Sequence, residues 1–505
     1  MLLVAPFENA SGSPGLEWIG EAFPEIVGQR MSSRTIYVVG REDRLRAFEE
    51  AALPANLRPS RATLYRISEQ MGVDYLVLGS YGFDGRSLTA KAQLLDMQQL
   101  RLSPAVSESG PLIELIDIQT ALAWDLLRIV RPDLPLSHDA FKAAAPPIRL
   151  DAFENYIRGV VASDPAEKIR RFRMAVRIAP TYSAALLQLG KACYGERQYD
   201  QAVGTLEKIP SVDPTAREAS FYLGLAAFYR GDFVKAQNAF HSLALQLPLT
   251  EVYNNLGVVA ARRGDKRALD YFLQARQADP ADADYRFNLA VSYFRAGNQN
   301  EAARQLRESL SLRPNDAEAK SFLQALDSNP VTPAQNPAAR VRIPLERMKR
   351  NYDESSFRQL AIEIQAEAET RLAKADSRTH ARFHLTRGHE LLDQGFITEA
   401  EAEFREALTL EPANADAHAG IARALEAKSD VIGARREATV ALRIREFVEP
   451  LLVLARLDLS DNKTETAAES VNRALRLEPS NGSALALKRV IAAKLAEKAQ
   501  PLPNP

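Results

Sequence analysis

Two kinds of hydrophobic spacing divide the chain. Over residues 1–130 short apolar runs alternate with helical patterns. LLVAPF (2–7) is an apolar run of the buried-strand type, and 16–31 has helical spacing. TIYVV (35–39) reads as a second strand, 44–52 and 60–71 as helices, and 112–130 as a further helix. DYLVLGSYGF (74–83) and SLTAKAQLLD (87–96) alternate as strands do, and Asp84-Gly85 between them is a hairpin signal. Strands mixed with helices predict a small α/β domain with a mixed sheet. From about residue 151 the spacing is helical throughout, which predicts an all-α remainder.

That remainder repeats. Gly190, Gly224 and Gly257 lie 34 and 33 residues apart. Twelve residues after the first two stand Ala202 and Ala236, then Leu206 and Phe240, then Pro214 and Pro248. A third copy keeps the frame with one deletion, through Gly257, Ala268, Phe272, Ala275 and Pro280. A fourth runs through Ala290, Gly297, Ala302, Leu306 and Pro314. After a break the frame returns at Gly388, Gly395, Ala400, Phe404, Ala407 and Pro412. Two looser copies follow, around Ala422/Ala434 and around Ala455/Ala467/Ala474/Pro479, and a shortened copy ending at Pro180 begins the array.

A period of this length specifies a helical hairpin. Small residues let two antiparallel helices approach, and large ones fill the seam. Gly at 231, 264, 297 or 395 suits a left-handed helix end, and Pro stops the second helix. One hairpin cannot bury its apolar face alone, so neighbours must stack. The spacing resembles the tetratricopeptide repeat family over roughly residues 151–495. The resemblance implies an α-solenoid that binds protein segments. The opening Trp of the family pattern is absent throughout, and Glu446 stands where one copy would end in Pro.

The expected organisation is an α/β domain at 1–130, a linker at 131–150 and a first repeat array at 151–327. A Pro-rich linker at 328–341 precedes a second array at 342–496, led by an amphipathic helix over 354–374, and 497–505 is a frayed tail. In the amino-terminal part, Pro6-Phe7-Glu8-Asn9, the helix after it, Gly72 to Ser80 and the following hairpin resemble the small domain at the amino terminus of TolB-type proteins. Similar domains precede tetratricopeptide arrays in many bacterial proteins. That resemblance implies an interaction or regulatory module without chemistry of its own.

Charge changes little in this picture. Lys+Arg number 64 and Asp+Glu 65, so the chain has no global attraction for nucleic acid or anionic membrane. The most apolar helix, 112–130, carries Glu114, Asp117 and Asp125, which argues against a membrane span. One cysteine, Cys193, sits at a seam position and reads as a core residue. The compartment stays open: the chain as written, which lacks a basic leader, is expected in the cytoplasm, and an upstream start with an export signal would place it in the periplasm.

Candidate chemistry is sparse. The loop Asn9–Gly15 has the strand–Gly–helix order of a phosphate cradle. It lacks the Lys and the glycine spacing of nucleotide motifs, and Pro14 removes a donor. A connection with an N-cap is the expectation; a ligand-sensing regulator binding a nucleotide or small anion at 9–16 is the alternative function. His380 and His384 share a helix face at i, i+4, half of a possible metal site, without a second half. His389-Glu390 begins a zinc-protease pattern that Asp393 breaks. The expectation is no catalytic residue, no metal and no cofactor.

Binding is expected instead in the concave groove lined by the first helix of each hairpin. In register, the first array offers Lys191, Tyr194, Phe221, Leu225, Phe228, Asn254, Arg262, Phe287, Phe294 and Arg295. Aromatics with interspersed Arg are typical protein-contact chemistry. The Lys/Asn pattern of a carboxylate clamp is not formed. The groove therefore suits an apolar or amphipathic protein or peptide segment with some acidic character. The second array is more polar at the same places, with Arg382, Leu385, His389, Arg423, Glu426 and Arg456.

Overall fold

A computed structural model describes residues 1–33, 36–53, 59–132, 137–144, 147–328, 343–354, 356, 376–393 and 396–499. Residues 329–341 of the expected Pro-rich linker, Gly395 and most of the expected 354–374 helix lie outside these residues. Two compact units emerge: Met1–Asp232 with Tyr352–Ala368, and Phe233–Asn351 with Glu369–Pro505.

The first unit begins with a mixed sheet. Strand β1 (Leu2–Val4) pairs parallel to β3 (Tyr75–Phe83), and β2 (Glu8–Asn9) pairs parallel further along β3. β4 (Ser87–Asp96) returns antiparallel across Asp84-Gly85, with Gly85 at a φ of 92°. β5 (Arg101–Leu102) and β6 (Val106–Pro111) pair antiparallel with β4. The sequence pattern misses β6: VSESGP alternates, but with polar residues, so no apolar face announces it.

The expected strand over 2–7 ends at Val4; Pro6 has no N–H to donate, and pairing with β3 resumes only at Glu8. Of the expected strand at 35–39, Thr35 lies outside the described residues, and Val38 bridges Leu2 in parallel. The helices are α1 (Ile19–Met31), α2 (Arg41–Glu50), α3 (Arg61–Gln70), α4 (Leu115–Val130) and α5 (His138–Ala143). Leu3, Phe48, Leu64, Ile67 and Leu76 form one buried cluster, and Phe7 stacks on Phe23 at 4.1 Å.

Hairpins follow within the same unit: α6 (Leu150–Val161) with α7 (Pro165–Ile178), α8 (Ser183–Gly195) with α9 (Tyr199–Leu206), then α10 (Ala216–Arg230). The α/β domain rests on the first hairpin. Trp18 meets Phe153 edge-on, Tyr156 donates to Glu25 at 2.8 Å, and Arg158 donates to the Gly15 carbonyl at 2.7 Å. Burial raises the Glu25 carboxyl above its ordinary range, against the Tyr156 hydrogen bond.

The second unit runs α11 (Phe233–Ala244), α12 (Thr250–Arg262), α13 (Ala268–Ala278), α14 (Ala283–Arg295), α15 (Gln299–Leu312) and α16 (Ala317–Ser328). A segment without regular secondary structure follows at 343–351. Then come α17 (Ser377–Asp393), α18 (Ile397–Leu410), α19 (Ala415–Ala427), α20 (Val431–Ile444), α21 (Val448–Ser460), α22 (Thr464–Leu477) and α23 (Gly482–Ala499). The seam logic is visible at Gly257. A Cβ there would lie 2.6 Å from the buried Phe272 ring, so only Gly admits the ring. Burying such a ring contributes about 1.5–3 kcal/mol. Helix ends use positive φ at Gly231, Gly264 and Gly297; Arg197, Ser429 and Asn462 adopt it at the equivalent places.

Candidate peptide-binding groove

Three asparagines on the first helices of two successive hairpins line one wall of the second unit. Asn254 and Asn255 lie on α12 and Asn288 on α14, all fully buried. Buried amides need partners for both N–H and C=O. Their partners here are the backbone of residues 347 and 349.

The Arg347 N–H donates to Asn288 Oδ1 at 2.7 Å, and Asn288 Nδ2 donates back to the Arg347 carbonyl at 2.9 Å. Asn254 Nδ2 donates to the same carbonyl at 2.9 Å, and its Oδ1 accepts from Asn288 at 2.7 Å. One repeat earlier, the Lys349 N–H donates to Asn255 Oδ1 at 2.8 Å and Asn255 Nδ2 donates to the Lys349 carbonyl at 2.9 Å. In an extended chain residues i and i+2 present their backbone groups on the same side, about 6.7 Å apart. Two repeat-equivalent asparagines thus pair with the segment as a neighbouring strand would, and the segment runs opposite to the order of the repeats.

The side chains of the segment are held as specifically as its backbone. Arg347 reaches Asp316 at 2.5 and 2.9 Å, Asp284 at 3.1 Å and Glu318 at 2.9 Å, with its guanidinium 3.6 Å from the Phe287 ring centroid. Lys349 reaches Asp282 at 2.6 Å and Asp284 at 2.8 Å, above the Tyr285 ring at 5.1 Å. Glu346 has a fully buried carboxylate, hydrogen-bonded to Arg295 and 3.6 Å from Arg262. Burial works against ionisation of Asp284, but Arg313, Lys349 and Arg347 hold its carboxyl well below the usual range. Arg347 holds Asp316 low against the opposing effect of burial.

The expected groove residues divide between the units. In the second, Asn254, Arg262, Phe287 and Arg295 meet the segment, while Phe294 is buried edge-on to Phe322. In the first, Phe221 and Leu225 are fully buried, and the Tyr352 ring lies 5.3 Å from Phe221. Glu354 pairs with Arg217 at 3.1 Å. Tyr194 clusters with Tyr199, Tyr222 and Tyr229, Phe228 meets Tyr229 edge-on, and Lys191 pairs with Glu42 at 3.0 Å and Glu218 at 2.7 Å. Sequence reasoning missed Asn255 and Asn288. Each stands two residues before the small seam residue of its copy (Gly257, Ala290), so a second reading frame would have found them.

The other chemical candidates have structural employment. In the loop at 9–15, Asn9 Oδ1 accepts from the backbone N–H of Ser11 and of Gly12, donors a phosphate cradle would need. His384 meets Glu403 at 2.7 Å, and 34 residues on His418 meets Glu437 at 2.8 Å, the same cross-hairpin pair in two copies. His389 packs edge-on to Phe404. Cys193 is buried, and burial pushes its thiol up.

Three stretches of these hairpins are tetratricopeptide repeats. The profile of that repeat matches residues 187–240, 259–317 and 385–447. A peroxisomal targeting signal receptor of Candida glabrata is 30% identical over 131 residues, 26% of this chain and 21% of that receptor. The chain thus spans about a fifth of the length of the curated relative it matches. Among solved structures, MamA is 22% identical over 31% of this chain and 92% of its own, with a TM-score of 0.29. YrrB, described as a tetratricopeptide protein with an unusual peptide-binding site, is 19% identical over 34% and 90%, with a TM-score of 0.31. A tetratricopeptide repeat protein from Parabacteroides merdae is 12% identical over 61% and 98%, with a TM-score of 0.27. No helix among the described residues is long and apolar enough to cross a membrane.

Proposed function

We propose that this protein is a non-enzymatic adaptor that holds an extended segment of a protein partner in its tetratricopeptide groove. The observation that carries this reading is the bidentate hold of Asn255 and Asn288 on the backbone of residues 349 and 347. Side-chain amides that pair with both backbone groups of one residue recognise an extended chain before they recognise any sequence. The sequence-based expectation of some acidic character narrows to the single position held by Arg262 and Arg295. The amino-terminal domain, TolB-like in its motifs, serves as a second interaction module placed beside the first hairpin. A ligand-sensing role at residues 9–16 gains nothing from the loop, whose donors serve Asn9.

A random dodecapeptide display library panned on the full chain and on Asn255→Ala/Asn288→Ala tests the reading. Peptides enriched on the wild type and lost on the double variant are expected. The same peptides enriched equally on both would overturn it.

A further inference from the structure

We propose that the groove at Asn255 and Asn288 selects extended segments of the pattern acid–Arg–any–Lys, and that residues 346–349 are its built-in occupant, which a partner segment of that pattern must displace. This rests on the peptide-groove reading above and names the ligand chemistry of the same site.

Three features carry it. First, each charged position of the occupant faces groups of opposite charge. Glu346 lies between Arg262 and Arg295, Arg347 among Asp284, Asp316 and Glu318, and Lys349 between Asp282 and Asp284. Exchanging the charges would put two carboxylates against an aspartate cluster and an ammonium against two guanidinium groups, which opposes binding. Met348, uncharged, occupies the unspecified position.

Second, the apolar residues preceding these positions do not anchor the segment. Leu345 is 61% exposed and Ile343 36% exposed. A structural staple buries its apolar side chains; this segment is held by ion pairs and backbone hydrogen bonds, all of which a partner segment can reproduce one for one. Third, the groove left behind is largely polar. Release bares the Phe287 and Tyr285 rings that Arg347 and Lys349 cover, while Asn254, Asn255, Asn288 and the rim aspartates can be rehydrated.

The occupant is on the same chain, so it competes at an effective concentration on the order of millimolar. A partner segment therefore binds the intact protein weakly and a strap-weakened protein tightly. A fluorescein-labelled peptide with the sequence of residues 343–354, IPLERMKRNYDE, is titrated by anisotropy into the full chain and into Glu346→Ala/Arg347→Ala/Lys349→Ala. At least tenfold tighter binding to the triple variant is expected. Loss of that binding is expected when Asn255→Ala/Asn288→Ala is added, and with a peptide carrying Glu346→Lys/Arg347→Glu/Lys349→Glu.

Equal affinity of wild type and triple variant, or equal affinity of the two peptides for the variant, would overturn this inference while the peptide-groove reading stands. A folded triple variant, judged by circular dichroism, that binds neither peptide would overturn both. Should the triple variant not fold, Lys349→Ala keeps the backbone hydrogen bonds and is read in the same titration. A gain of about threefold or more supports the inference, and no gain overturns it.

Discussion

Two stretches of the second unit are built alike and present different faces. Around Gly257 and around Gly388 the seam is the same: a glycine whose Cβ would lie 2.6 Å from a buried Phe ring, Phe272 or Phe404. Two residues before the small position, however, the first stretch has Asn255 and Asn288, and the second has Thr386, Gly420 and Val453. The first stretch therefore grips a backbone, and the second offers no amide at that place. The concave charges differ as well. Arg262 and Arg295 meet Glu346 of the extended segment, whereas Arg423 pairs with Glu449 at 2.8 Å and Arg456 with Glu426 at 2.6 Å, both between neighbouring repeats. Seam residues make the repeat; the residues two positions before the seam decide whether it holds the extended segment.

The largest effects fall on what the two stretches share. Phe272→Ala and Phe404→Ala each open a cavity at a glycine seam, and each is expected to lower unfolding stability by about 3–5 kcal/mol in urea titrations. A loss several-fold smaller in one of them would break the equivalence of the seams.

Next comes the difference between the stretches. Asn288→Ala leaves the N–H of Arg347 without its acceptor and removes one of the two donors to its carbonyl, a loss of about 1–3 kcal/mol in holding the segment. Arg347, Lys349 and Arg350 are trypsin sites, so limited proteolysis at 347–350 is expected to accelerate about tenfold or more. Thr386→Ala, at the equivalent place in the second stretch, is expected to leave cleavage there unchanged. Equal acceleration by both would show that the asparagine is not the cause.

The pH dependence is smaller and has a definite sign. Asp284 and Asp316 have folded-state values below the ordinary 3.8. The stability they contribute is complete above that value and is lost as pH falls through their lowered range. Glu25 in the first unit has the opposite sign: its value is raised above 4.5, so its contribution is present below 4.5 and lost as pH rises through the raised value. Exchange of the 347 and 349 amides, corrected for intrinsic rates, should show constant protection from pH 7 to about 4.5 and a decline below 3.8. Protection that falls between pH 7 and 5 would assign the hold to other groups. The smallest effect expected is that of Thr386→Asn. One added amide, with the nearby acids Asp416 and Glu449 already paired to Arg445 and Arg423, should change peptide binding less than twofold by anisotropy, and a clear gain would mean the amide alone suffices.

Much of this architecture was legible in the sequence because it is local. The 34-residue frame, the Gly–Phe seam and the helix-ending glycines each follow from residues within one hairpin. The groove was legible in part. Asn254, Arg262, Phe287 and Arg295 came from the register of the helices, but the register chosen passed over Asn255 and Asn288 by one position. The occupant was not legible. PLERMKRNY has neither helical nor strand periodicity, and the asparagines that hold its backbone lie 59 to 94 residues away. A contact made by distant side chains to a segment's backbone leaves no local pattern in that segment. The same holds for Asp284 and Asp316, which read as ordinary helix-start acids until the chain brings Arg347 to them.

The hold of the two asparagines on the extended segment is tested most directly by amide hydrogen exchange at Arg347 and Lys349, read by NMR in the full chain. Both amides donate to asparagine side chains. Exchange at least tenfold slower than in the isolated 343–354 peptide is predicted for the wild type, with that protection lost in Asn255→Ala/Asn288→Ala. Exchange at the peptide rate in the wild type would contradict the account.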